Sequence, residues 1–296
     1  MVHQLFREAL ARRYEALKSQ YPSEGRRRWC LRVLYESWPI LAHQAATSAV
    51  TSSEGKAAFE TDSDPMDAVL EDEEIGLIIR TDFTDDEAWN TFRQKVQTSQ
   101  KEFLAELSGG NNQDQDQAGD AESSSVVQDA TMDKAQTMPD ANEESSDSSD
   151  ELPDIVKILD PSDAGDRQKL SDISNIAALR LFNDVDIRPA PSLPAETKRI
   201  SPQNPLIDLG GWQEIYTGKN IWIYDSASNK DECVRVVSQE SNFYGTATGD
   251  NWRARGAHVC ELQFNMTYQG LKIDFNGLDK WDYNQRLRNL QESTIL

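Results

Sequence analysis

Residues 73–89 read EEIGLIIRTDFTDDEAW. Ile75, Leu77, Ile78 and Ile79 make an apolar run of strand length, and the Thr84-Asp85-Asp86-Glu87 that follows has the Thr-x-x-Glu form of a capping box. A helix is therefore expected to begin there. Ala88, Trp89, Phe92, Val96, Phe103 and Leu104 mark one face of it, and it should end before Gly109-Gly110. This strand-helix unit, residues 73–110, has to bury one face of each element against further structure, so it reads as part of a larger domain.

The rest of that domain is expected downstream. Ile155 to Leu159, Ile221 to Tyr224, Cys233 to Val237, His258 to Phe264 and Leu271 to Phe275 are short and β-branched or aromatic, separated by turn material such as Ser226 to Lys230 and Gly245 to Asp250. Val259, Glu261, Gln263 and Asn265 alternate with Cys260, Leu262, Phe264 and Met266, as in a strand with one wet face. Helices are expected over Ser174 to Phe182 and over Lys280 to Leu290, the latter with Trp281, Leu287 and Leu290 on its face. Residues 155–296 thus complete an α+β domain with a mixed or mainly antiparallel sheet and flanking helices.

Upstream, Phe6, Leu10, Leu17 and Tyr21 recur with helical spacing, Pro22 to Gly25 break the pattern, and Trp29, Val33 and Leu34 open a second stripe ending near Trp38-Pro39. Residues 1–46 therefore form a helical hairpin, too small to be stable alone and expected to pack on the rest of the chain or on a partner. Residues 47–72, rich in Ser, Thr, Asp and Glu, read as a flexible linker. Residues 111–154 carry 13 acidic residues and one lysine, more than half of the formal net charge of −21, with no aromatic residue. Ordering that backbone would cost entropy with almost no apolar burial to offset it, so the stretch is expected to be a long disordered acidic insertion within the domain.

Composition bounds the function classes. With 51 acidic against 30 basic side chains, general nucleic-acid binding is disfavoured. No window reaches the roughly 18 apolar residues of a membrane span, so no membrane association is expected. Three cysteines, Cys30, Cys233 and Cys260, are odd in number and widely spaced, forming neither a disulfide framework nor a CxxC metal site. A reducing cytoplasmic or nuclear location fits. Arg7, Arg12 and Arg13 suggest a mitochondrial presequence, but Glu8 and Glu15 among them argue against it. The Asn265-Met266-Thr267 sequon would matter only after secretion.

Ile79-Arg80-Thr81-Asp82-Phe83-Thr84-Asp85-Asp86-Glu87-Ala88-Trp89 resembles the opening signature of an uncharacterised family of bacterial and fungal proteins, an apolar strand followed by Arg-Thr-Asp-Phe, Ser or Thr, then Asp-Asp-x-x-Trp. DIVKILDP is similar to that family's second strand, and GWQEIYTGKNIWIYD with VRVVS to its later strands. The acidic insertion is not part of the family's compact pattern, and the first 70 residues have no counterpart in it. The resemblance implies a shared α+β fold and transfers no catalytic residue.

Several side-chain sets carry possible chemistry. Asp82, Asp85 and Asp86 lie at the end of a buried strand, where ligands bind in open α/β sheets and where a hard cation such as Mg²⁺ would find oxygen donors. The same acids would also complement a helix N-terminus, with Thr84 and Glu87 as its cap and Arg80 pairing with Asp82. His258 and Cys260 would share a strand face as a base and a nucleophile, against the simpler reading of a core cysteine. Gly245 to Asp250 with Arg253 and Arg255 could hold an anion, or be a hairpin turn with solvated arginines. Trp212, Trp222, Trp252 and Trp281 read as packing rather than as a stacking platform for bases.

The insertion offers the interaction motif. Ser145, Ser146, Ser148 and Ser149 sit among acids of the kind acid-directed kinases select, so they are phosphorylation candidates. Directly after them, Ile155, Val156, Ile158 and Leu159 resemble a motif that binds the small ubiquitin-like modifier by adding a strand to its sheet edge. The alternative is an internal strand of the fold, and the two readings exclude each other, since a strand already paired inside the domain has no free edge to lend. Together these features favour a non-enzymatic protein-interaction or regulatory factor that meets partner proteins through its acidic linker. No cofactor and no bound metal is expected. The alternatives are a metal-assisted or acid-base enzyme using Asp82, Asp85 and Asp86, with Arg80 or Arg253 holding an anionic substrate, and nucleic-acid contact through Arg26, Arg27 and Arg28 of the hairpin.

Overall fold

The computed structural model of the chain describes residues 2–41, 57–71, 75–109, 154–191, 203–240, 246–273 and 282–295. In chain order the elements are α1 (Gln4–Gln20), α2 (Arg26–Leu41), α3 (Ala58–Thr61), α4 (Asp67–Leu70), β1 (Gly76–Arg80), α5 (Asp86–Gly109), β2 (Val156–Leu159) and α6 (Ala164–Leu170). They continue with α7 (Asn175–Phe182), β3 (Asp184–Pro189), β4 (Trp212–Thr217), β5 (Asn220–Tyr224), α8 (Ser228–Asp231), β6 (Cys233–Val237), β7 (Asn251–Arg255), α9 (Val259–Tyr268) and α10 (Tyr283–Glu292).

The apolar run of β1 makes it an inner strand. All five of its residues are buried, and it pairs in parallel with β2 on one side and β5 on the other. A strand covered on both faces needs such a continuous run, not an alternation. β6 and β7 extend the sheet antiparallel, giving the order β2-β1-β5-β6-β7. The sheet is therefore mixed, and the chain is an α+β protein.

Successive side chains divide between the two faces. Ile78, Trp222, Tyr224, Val234 and Val236 face α5, through Trp89, Phe92 and Val96, and the start of α9. Leu77, Ile79, Ile221 and Ile223 face the opposite core, built from α1, α2, α7 and the two-stranded antiparallel sheet β3-β4. The N-terminal hairpin thus contributes Phe6, Leu10, Leu17, Val33 and Leu34 to the main core. Two glycines permit close packing. A Cβ on Gly76 would meet Gln263 Oε1 at 2.7 Å, and one on Gly256 would meet Phe92 Cε2 at 2.7 Å.

Several expectations are corrected. His258 to Phe264 is not a strand: α9 covers Val259–Tyr268, and the inward positions Val259, Cys260 and Gln263 follow helical spacing that the every-other-residue pattern masks. Residues 271–273 have no regular structure, and the rest of the expected Leu271 to Phe275 strand lies outside the described residues. Part of the expected flexible linker is structured. Phe59 is buried, and Asp62, Asp64 and Asp67 pair with Lys18, Arg27 and Arg26. α2 continues through Pro39 to Leu41, the proline giving up one backbone bond two residues before the helix ends.

The last helix starts at Tyr283, after Asp282 accepts from the Gln285 N–H, and Trp281 is outside the described residues. Residues 246–250 hold a turn, as expected of Gly245 to Asp250, but they are buried; Thr248 Oγ1 donates to the Glu214 carbonyl at 2.7 Å. β3, β4 and β7 were not expected as strands from residue pattern alone. The acidic insertion, with Ser145, Ser146, Ser148 and Ser149, falls outside the described residues apart from Asp154.

Candidate functional site

β1 and β2 are parallel neighbours whose following connections leave to opposite faces, β1 into α5 and β2 into α6 and α7. The crevice beyond their carboxyl ends is the place where open sheets of this kind bind ligands. Arg80 fills it. Its side chain is 2% exposed, and Nε donates to the Asp82 carbonyl at 2.9 Å. One Nη meets Asp86 and the other lies 3.4 Å from Asp160 Oδ1, while Trp89 Nε1 donates to Asp160 Oδ2 at 2.7 Å. The guanidinium also lies 5.0 Å from the Phe83 ring centre and 5.1 Å from that of Trp89. The Arg80–Asp82 pairing runs through the Asp82 backbone, not its carboxylate.

Each carboxylate of the cluster has a local task. Asp82 Oδ1 accepts from Thr84 N–H at 3.0 Å, Thr84 Oγ1 at 2.6 Å and Asn229 Nδ2 at 2.9 Å. Burial alone would raise its pKa, but the bonds from Thr84 and Asn229 outweigh it and hold the group below its ordinary value. Asp85 Oδ1 accepts from Ala88 N–H at 2.9 Å, which makes Asp85 the N-cap of α5. The expected Thr84 cap is therefore displaced by one residue, because the Thr84 hydroxyl is bonded to Asp82. Asp86 is held below the usual carboxylate range by its bond to Arg80. Among the described residues no group of three or more His, Cys, Asp or Glu side chains is placed to hold a metal ion.

The other sets separate. His258 is exposed whereas Cys260 is buried, so they do not share a face, and burial pushes the Cys260 thiol up to about 12. Arg253 lies 2.8 Å from Asp225 Oδ2 and 3.0 Å from Asp231 Oδ2, so it is neither the solvated arginine of a hairpin turn nor open to an outside anion; Arg255 is exposed. Arg26 and Arg27 pair with Asp184, Asp64 and Asp67. Trp212 and Trp222 are core residues. Ile155 and Val156 are buried, and β2 is an edge strand with β1 as its one strand neighbour; Gln100 Oε1 of α5 accepts from the Ile155 and Val156 N–H groups at 3.0 and 3.1 Å. A strand of the fold and a strand with an open edge are thus compatible descriptions at Ile158, beyond the Gln100 cap, contrary to the expectation that they exclude each other.

Two features escape a reading of local pattern. Arg180 donates to the Tyr35 hydroxyl at 2.6 Å, Glu214 Oε1 at 3.1 Å, the Ser293 carbonyl at 2.7 Å and the Ile295 carbonyl at 2.7 Å. This buried network, joined by Tyr216, ties α2, α7, β4 and the C-terminal residues together. Its signals were a lone arginine in the otherwise apolar run Ile176 to Phe182 and a glutamate on the same strand face as Trp212 and Tyr216. Beside it, a cavity of about 700 Å³ is walled by Met66, Val69, Leu159, Leu170, Ile173 and Leu181. Leu159 and Pro161 line this cavity while Asp160 between them serves Arg80.

Compared with known proteins, the chain matches no family model, no curated protein and no solved structure.

Proposed function

We propose that this chain is a non-enzymatic protein-interaction factor whose contact element is the outer edge of β2 together with the acidic stretch leading into it. The observation that carries the reading is the place of β2 at the end of the sheet with β1 as its one strand neighbour; Gln100 caps the Val156 N–H, so the outward backbone groups it offers are those of Ile158. An edge strand presents unpaired backbone groups that another chain can extend. Residues 111–154, with 13 acids and one lysine, enter this strand directly and would favour a partner with a basic rim beside its own sheet edge. The small ubiquitin-like modifier has that chemistry. The engagement of Asp82, Asp85 and Asp86 in turn, cap and ion pair supports the same non-catalytic reading. The likeness of residues 79–89 to the uncharacterised family remains part of it as a proposal resting on the motif.

The test is a titration of the full chain with purified small ubiquitin-like modifier, followed by backbone amide NMR shifts. The Ile155 carbonyl accepts from Gly76 N–H at 3.1 Å, so alternation turns the backbone groups of Ile158 away from β1. Ile158→Pro removes an outward N–H, and it should abolish the shifts at residues 155–159 that the unmodified chain shows. Phosphorylating the serines at 145–149 should tighten binding. Absence of shifts in β2, or binding unaffected by Ile158→Pro, contradicts the proposal.

A further inference from the structure

We propose that the cavity between the start of α2, the α3–α4 segment, α6 and α7 binds an amphipathic monoanion, an apolar body carrying one carboxylate or sulfonate head. Its volume of about 700 Å³ lies within the range of small-molecule sites, and its walls are mostly aliphatic. The charges around it decide the sign of the head group. Arg27 is bound to Asp64 at 2.8 Å, Lys169 to Asp166 at 2.8 Å and Arg180 to Glu214 at 3.1 Å. Glu292, the remaining acid of the lining, is bonded to Ser174 and lies 2.8 Å from Arg288 Nε.

Arg28 is the exception. It lines the cavity and has no carboxylate within 4.0 Å among the described residues. Glu24, one turn away, is committed to Arg32 through bonds of 2.7 and 2.6 Å. Arg28 also stands in the first turn of the 16-residue α2, where the helix end adds positive potential. A half-buried guanidinium with free donors at the edge of an apolar chamber selects a ligand with one anionic end and a hydrophobic remainder. A cationic amphiphile would meet the same guanidinium with repulsion.

The test uses the full chain with 8-anilinonaphthalene-1-sulfonate as the fluorescent probe and dodecanoate, dodecanol and dodecyltrimethylammonium as competitors. Dodecanoate should displace the probe with higher affinity than dodecanol, and dodecyltrimethylammonium should be the weakest. Arg28→Gln should weaken dodecanoate by about tenfold, the loss of one charge-assisted hydrogen bond, and leave dodecanol unchanged. Ala177→Trp, which fills the chamber from α7, should abolish binding of both at an unaltered melting temperature. Val69→Trp, from the α4 side, gives the same reading if the α7 variant does not fold. No displacement by dodecanoate, no preference for it over the cationic amphiphile, or equal losses of acid and alcohol in Arg28→Gln would overturn the assignment.

Discussion

Replacing Arg80 with Met tests whether the acidic motif is a structural joint. Arg80 is 2% exposed, and its guanidinium bridges the end of β1, the start of α5 and Asp160 after β2. Its charge-assisted bond to the Asp82 carbonyl is worth about 1.5–3 kcal/mol, and its seating on Phe83 and Trp89 about 0.5–1 kcal/mol for each ring. Asp86, with a side chain 72% exposed, is rehydrated by water once its partner is gone, so it adds little. Methionine recovers part of the packing. A net loss of about 3 kcal/mol follows, which for a chain of this size lowers the melting temperature by about 6–12 °C. Differential scanning calorimetry measures it. Arg80→Lys, which keeps the charge but loses the planar fork, should fall between the two. A variant melting within about 2 °C of the parent would refute the reasoning, because it would mean that the guanidinium bears no structural load.

Other predictions concern buried charges and close packing. Burial raises the Asp186 carboxyl to about 6 from an ordinary 3.8, against the bonds from His3 and Ile187 N–H. The folded chain then binds that proton more tightly than the unfolded one, so stability from this group is greatest below about pH 3.8 and declines as pH rises to about 6. Urea titrations of the parent and Asp186→Asn should show the parent losing about 3 kcal/mol relative to the variant across that window. Arg235 is 1% exposed, and its Nε and Nη1 have no hydrogen-bond partner among the described residues, although Nε lies 3.1 Å from Asp225 Oδ2. Asp225 keeps Arg253, so Arg235→Met should be neutral or stabilising by about 1 kcal/mol in chemical denaturation. Gly256→Ala, which drives a methyl into Phe92, should destabilise by about 1–3 kcal/mol in the same assay.

What could be read from sequence was what the chain writes locally. The run of Leu77 to Ile79 and the stripe of Trp89, Phe92 and Val96 announced β1 and α5, because a doubly covered strand and a one-faced helix leave unlike patterns. α9 was misread because its residues alternate in polarity every second position while only Val259, Cys260 and Gln263 turn fully inward. Residue pattern alone does not mark β3 or β4, the latter being suggested only by the family resemblance, because Asp186, Arg188 and Glu214 interrupt their apolar positions and find partners far away in sequence. The cap of α5 lies one residue past Thr84, since Asp82 captures the Thr84 hydroxyl and the Asp85 carboxylate accepts from Ala88 N–H instead. Arg180 and the cavity beside it draw on α2, α7, β4 and the C-terminal residues at once, and no local spacing encodes that meeting.

The claim that the motif acids hold the fold and perform no chemistry is tested most directly by carboxyl-carbon NMR of Asp82 during a pH titration with and without Mg²⁺. The geometry predicts a midpoint below the ordinary 3.8 and a resonance indifferent to the cation. A midpoint near neutrality, or a resonance that moves with added Mg²⁺, would contradict it.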